Sequence, residues 1–329
     1  MCEVGSVNLR LGSAGFDLVS HLSHHISHLS DKLQFIKENL MQEIKIIKAG
    51  DTNYPEHLLK IKNPPEQLYV LGDETLLNKQ SIAIIGSRDC TQYGYEQAKH
   101  FAKELSKNNI CIVSGMAIGI DSAAHIGAKS ELGKTIAVLG SGFNHIFPEE
   151  NEELFYEIIE EGGCIISEYE PNTEPNSKHF PIRNRIISGL SEGVLVAEAK
   201  SRSGSGITAR LARNQNKKVY CIPSNVDSKN GVGTGRLIQE GAKLVLSPQD
   251  ILIELGMNVI ENKISEQKNI KVDKQYKAVY ETLTRVPINV NEICKRTGKN
   301  IIEVNTTLTM LELQGLVKQV GVNEFVKAV

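Results

Sequence analysis

Between residues 81 and 247 short apolar runs recur, separated by longer amphipathic stretches: "SIAIIGS" (81–87), "ICIVSG" (110–115), "TIAVLGSG" (135–142), "CIISEY" (164–169), "GVLVAEA" (193–199), "KVYCIP" (218–223) and "AKLVLS" (242–247). The runs are continuous rather than alternating, so as strands they need cover on both faces. The stretches between them supply it. In "GYEQAKHFAKELSKNN", Ala98, Phe101, Ala102 and Leu105 stand at helical spacing and give a polar helix one apolar stripe. Strand and helix in alternation predict an α/β fold, an extended Rossmann-like parallel sheet with helices on both faces.

Such a sheet binds ligands beyond the carboxyl ends of its strands, where loops meet helix N-termini. The loops in that position are "GSR" (86–88), "SGMAIGID" (114–121), "GSG" (140–142) and "SRSGSGIT" (201–208). Glycine lets the backbone approach a ligand closely, and free amides at a helix start favour an anion. Gly86, Ser87, Ser114, Gly115, Gly204 and Ser205 are therefore expected at a phosphate-binding edge. Asp121, at the end of the second loop, is expected to cap a helix. No G-x-G-x-x-G follows the first run and no G-x-x-x-x-G-K-[ST] occurs, which removes the usual support for a dinucleotide dehydrogenase or a P-loop enzyme.

The formal net charge of −2 hides an uneven distribution. Residues 149–170 hold nine glutamates and no Lys or Arg, whereas residues 178–218 hold nine Lys or Arg against Glu192 and Glu198. In "SKHFPIRNRIISGLS" (177–191), Lys178, Arg183 and Arg185 surround Phe180. Arginine meets phosphate with a planar fork that lysine lacks. A helix entered after Pro181 would put Arg183 and Arg185 at its positive end, with Ile186 and Ile187 as anchors and Asn184 free to bond phosphate or a loop. The competing reading pairs these arginines with the acidic stretch as structural salt bridges.

No run approaches the ~18–20 apolar residues of a membrane span, and the N-terminus lacks the order of a secretory signal, so a cytoplasmic location is expected. The six cysteines are scattered without a close pair, so neither disulfides nor a metal knuckle is expected. His21, His24, His25 and His28 form one helical stripe within a poorly defined segment, 1–40, but no Cys or carboxylate joins them to make a metal site. Residues 41–256 read as the core and the polar residues 257–272 as a linker. Residues 273–329 show three helical patterns and a short hairpin, a winged-helix outline whose expected recognition helix, "NIIEVNTTLTMLELQG", carries few cations.

The blocks "YPEHLLKIKNPPEQLYVLGD", "IAIIGSRDCTQYG", "IVSGMAIGIDSAAH", "TIAVLGSGFNHIFPEEN", "ISEYEPN", "HFPIRNRIISGLSEGVLVAEAKSRSGSGITARLA" and "RLIQEGA" follow one another in the order seen in the DprA/Smf family, which the chain resembles from residue 45 to 329. The resemblance implies a core that binds single-stranded DNA, forms a homodimer and passes the strand to the RecA recombinase, with no catalytic chemistry and no cofactor. It further implies an anion-binding role for Arg88, a strand-contacting block of Lys178, Arg183 and Arg185, and Phe180 as the aromatic of "HFP". Ile118 stands where the family often has Arg, and Gly235 where it often has the Asn of a G-T-N triplet. An alternative is a nucleotide-processing hydrolase of the lysine-decarboxylase-like type. That class joins its phosphate loop to a carboxylate, but here the loop runs into Arg210 with no Glu nearby.

Overall fold

The computed structural model describes residues 43–201, 203–257, 272–284 and 286–328. The chain divides into two compact units, Met1–Val259 and Ile260–Val329.

All seven apolar runs form strands: β3 (Ser81–Ile85), β4 (Cys111–Ser114), β5 (Thr135–Leu139), β6 (Cys164–Ser167), β7 (Gly193–Val196), β8 (Lys218–Cys221) and β9 (Lys243–Leu244). Two further strands precede them, β1 (Lys45–Lys48) and β2 (Gln67–Gly72). The nine-stranded sheet has the order β1-β2-β6-β5-β4-β3-β7-β8-β9. β3 to β9 pair in parallel, whereas β2 runs antiparallel to β6 and to β1. β3 thus lies between β4 and β7, and the chain reverses its progress across the sheet beside it. That is the switch point where such sheets take ligands.

The strands are apolar on both sides because helices cover both. Ala83 and Ile85 face a core that includes Ile186, Ile187 and Leu190, while Ile82 and Ile84 face one that includes Phe101, Ala102 and Leu105. On the first face lie the one-turn α1 (Glu56–Leu59), α5 (His179–Leu190), α6 (Gly204–Asn214) and α7 (Val232–Gln239). On the other lie α2 (Gln92–Lys107), α3 (Ile120–Ala128), α4 (Glu152–Glu160) and α8 (Pro248–Glu254). Thr91 starts α2 by accepting the Gly94 N–H at 3.1 Å, and the predicted stripe of Ala98, Phe101, Ala102 and Leu105 is fully buried. Of these, Phe101 and Leu105 each contribute about 1.5–3 kcal/mol by leaving water.

The second unit holds α9 (Lys274–Thr282), α10 (Val290–Thr297) and α11 (Ile301–Leu313) with a three-stranded sheet. The sheet order is β10 (Ile288–Asn289), β12 (Glu324–Lys327), β11 (Val317–Gly321). Val279, Ile293, Val304, Leu308, Leu311 and Phe325 form its core. Among the described residues no helix is long and apolar enough to cross a membrane. The histidine stripe of residues 21–28 lies outside the described residues, as does most of the expected linker.

Candidate nucleic-acid interface

The loop after β3 is fixed from below. Ser87 is buried and its N–H donates to the Glu198 carbonyl at 2.8 Å, which leaves Arg88 exposed at the lip. Glu198 is itself fully buried and accepts the Thr91 N–H at 2.8 Å and the Thr91 hydroxyl at 2.6 Å. Gly119, at φ +81°, lies so close to this turn that a Cβ would stand 2.5 Å from the Ser87 carbonyl oxygen. Only glycine permits α3 to start there.

The loop after β4 is gripped from two sides. Ser114 points inward, its hydroxyl donating to the Ile84 carbonyl at 2.6 Å, and so ties β4 to β3 instead of meeting a ligand. The Gly115 N–H donates to Asp121 Oδ2 at 3.1 Å, and its carbonyl accepts from Arg183 Nη1 at 2.8 Å. Arg183 Nη1 also donates to the Val138 carbonyl of β5. Asp121 is in the first turn of α3 rather than at its cap, which is Gly119.

These contacts correct the expectation for Arg183. α5 begins at His179 and takes Pro181 into its first turn, so Arg183 is inside the helix and not at its mouth. It shares a face with Ile186, Ile187 and Leu190 at helical spacing, and that face packs on the sheet. Arg183 is therefore only 4% exposed, and burial lowers its pKa to about 10, still cationic at neutral pH. Burial raises the pKa of Asp121, with nearby Arg183 opposing the shift. His125 of the same helix is pushed down to about 3 by burial and by the Arg183 charge.

Arg185 is also engaged. Both terminal guanidinium nitrogens donate to Glu168, Nη1 at 2.9 Å, and Nε donates to the Asn63 carbonyl at 2.8 Å. For this residue the salt-bridge reading holds: the basic block meets the acidic stretch. Asn184, between the two arginines, is half-buried.

What remains at the rim is a compact set of cations and rings. Lys178 is exposed at the N-cap of α5, and its N–H donates to Asn176 Oδ1 at 2.9 Å. The Arg88 Cζ lies 5.7 Å from the centroid of the Phe180 ring, within cation–π reach. The Phe147 ring lies 5.4 Å from Phe180 at 34°, and His179 stacks on Tyr169 at 4.1 Å. Gly140 lies against Phe180, and a Cβ there would meet the ring at 2.7 Å. Beyond β7, Gly204 is exposed and Ser205 buried in the first turn of α6, where Ser203 and Ser205 share a hydrogen bond at 2.7 Å. Gly86, half-buried, leads into the Arg88 turn. Sequence reasoning passed over Phe147 and Lys200, the latter paired with Asp89 at 2.7 Å. Neither belongs to a periodic pattern; a position in a strand-end loop was the available signal.

The model of the DNA recombination-mediator protein A family matches residues 45–256, and that of the DprA winged helix domain matches 265–321. The chain belongs to the DNA recombination-mediator protein A family. Relatives in this DprA group include DNA processing protein DprA of Bacillus subtilis, 42% identical over 215 residues, 65% of this chain and 72% of the relative. Protein Smf of Escherichia coli is 36% identical over 281 residues, 84% of this chain and 75% of its own. Among solved structures, DprA of Streptococcus pneumoniae aligns with a TM-score of 0.61 at 40% identity, covering 66% of this chain and 76% of that one. DNA processing protein A of Helicobacter pylori, described for its single-stranded DNA binding mode, aligns at 0.59 with 32% identity, covering 65% and 96%.

Proposed function

We propose that this chain is a non-enzymatic binder of single-stranded DNA that acts in natural transformation and recombination and helps to load the RecA recombinase onto the strand. The observation that carries the proposal is Arg88 lying over Phe180 at one lip of the sheet. A cation and an aromatic ring side by side match the two things an unpaired strand offers, a phosphate chain and bare base faces. Lys178 extends the cationic track, and Gly86 and Gly204 bring backbone amides near it, whereas the Gly115 N–H is held by Asp121. Arg183 and Arg185 hold that track in place, with Ser87 and Ser114 beneath it. The single-stranded DNA binding of the Helicobacter pylori relative supports the same reading. RecA as recipient, a homodimer as the working form and a cytoplasmic location rest on family membership.

The groups that the hydrolase alternative would draw on are engaged or buried. Asp121 is committed to the Gly115 amide, Glu168 to Arg185, and His125 is fully buried. General acid–base catalysis needs such a group within reach of substrate.

A gel shift on single-stranded and duplex oligonucleotides of equal length, with salt varied, tests the proposal. Tighter binding to the single strand, falling steeply with salt, is expected. Equal or tighter binding to duplex would refute it.

A further inference from the structure

Phe180 is the ring that the sequence singles out, and it is half-buried. Arg88 lies over it, Gly140 lies against it with no room for a methyl group, and Phe147 stands at its side. Phe147 is different: its side of the pair is open, and the residue is 42% exposed.

The loop that carries Phe147 is held at both ends. Ile146 packs against the core formed by Phe143, Leu154 and Phe155. Downstream, buried Asn151 donates to the Met116 carbonyl at 2.7 Å and accepts from the Ser122 hydroxyl at 3.1 Å. An apolar ring is thus presented to water on a fixed support, with the Phe180 ring between it and the Arg88 guanidinium. Exposed Asn144, Glu149 and Glu150 flank it along the chain, so its own loop is polar on either side of the ring. The two glutamates also repel phosphate from that side and direct a strand's backbone toward Arg88 and Lys178.

We propose that the open face of Phe147 is a stacking platform for an unpaired nucleobase, with Phe180 as the spacer that sets its angle. The inference rests on the single-stranded DNA reading and adds the residue that meets the base. Base-on-aromatic stacking tolerates any base, because every base has a π-face.

The test compares oligo-dT with a fully abasic deoxyribose-phosphate chain of the same length, using the full-length protein and Phe147→Ala. Wild type is expected to prefer oligo-dT. Phe147→Ala is expected to weaken oligo-dT binding by about 5- to 150-fold, the range for losing one stacked base, and to leave abasic-chain binding unchanged. Equal weakening on both chains, or no weakening on either, would overturn the inference while leaving strand binding intact. Failure of wild type to bind oligo-dT at all would overturn the underlying reading as well. A second measurement does not depend on the alanine variant folding well. 2-Aminopurine in a saturating oligonucleotide is expected to be quenched by wild type and less so by Phe147→Leu, which keeps apolar bulk but has no ring; equal quenching counts against the platform.

Discussion

Arg183 and Asp121 hold opposite ends of Gly115: the aspartate accepts the glycine N–H at 3.1 Å and the arginine donates to its carbonyl at 2.8 Å. A methyl group on Gly115 would sit 2.7 Å from the Asp121 carboxylate and 2.8 Å from the Arg183 guanidinium. The loop after β4 is therefore shaped by two buried ionisable side chains whose charges act on each other, which allows strong predictions for their removal.

Removing one partner leaves the other charge buried and uncompensated. Arg183→Met is expected to cost about 3–5 kcal/mol of stability. Arg183→Met combined with Asp121→Asn should recover a large part of that loss, because no bare carboxylate is left beneath Gly115. Urea unfolding of the two variants and wild type measures both effects. Recovery of nothing would mean that Arg183 acts only through its bonds to the Gly115 and Val138 carbonyls.

Contact with phosphate and support of a contact have different salt signatures. Each cation that meets a phosphate adds about 0.7 to the slope of log affinity against log salt for a single strand. Arg88→Ala and Lys178→Ala should each flatten the slope by about that amount. Arg185→Met should leave it unchanged, since its guanidinium is already held by Glu168 and the Asn63 carbonyl. A slope that falls with Arg185→Met would show that Glu168 releases the arginine when DNA binds.

The parallel strands were legible in the sequence because burial on both faces writes a continuous apolar run, as in "SIAII" and "TIAVL". β1 and β2 were not. "KIIK" has only Ile47 buried, and the prolines before "QLYVLG" read as an irregular entry segment. The direction of pairing leaves no local mark, so antiparallel β2 beside β6 had no signal. At the proposed site, charge pointed to residues 177–191, and the helix start put two of the arginines there elsewhere than expected. Arginine is the least expected member of a buried helix stripe, yet residues 183, 186, 187 and 190 are one stripe once the helix is known to start at His179. The run of glutamates carried the information that would have assigned Arg185, through Glu168.

His125 gives the core a pH dependence. The Thr135 hydroxyl donates to the Ile112 carbonyl at 2.7 Å, so at 2.8 Å it accepts from His125 Nδ1–H, and Nε2 is left buried without a partner. With the folded pKa near 3, against 6.5 for the free side chain, the native state refuses a proton that the unfolded chain takes up. This contribution is fully present above pH 6.5 and is lost as pH falls toward 3, by at most about 1.4 kcal/mol per pH unit. Asp121, whose pKa is raised, opposes it at the acidic end. Unfolding free energy measured from pH 7.5 to 4 for wild type and His125→Asn should diverge, with the variant losing less on acidification, since Asn keeps a donor and does not titrate. Parallel curves would mean that the imidazole is not buried in solution.

Residues 41–256 on their own should bind single-stranded DNA and form a dimer. Arg88, Phe147, Lys178 and Phe180 all lie in that unit, the first two on loops after β3 and β5 and the last two at the start of α5. α11 of the second unit offers no Lys or Arg between Ile301 and Leu313, and its Ile302 and Leu313 are 75% and 79% exposed. That surface suits a protein contact far better than a phosphate chain. A dimer of the core would need an apolar surface, and the region of the two-residue strand β9 and α8 offers exposed Leu246 (76%) and Ile253 (60%). Leu246→Glu should therefore give a monomer by light scattering, and the monomer should bind long oligonucleotides more weakly, because two linked rims hold one strand with avidity. Its binding to an oligonucleotide long enough for one rim should be unchanged. Loss of all DNA binding on removing residues 257–329 would instead place the contact on the winged helix and take Arg88 and Lys178 out of the interface.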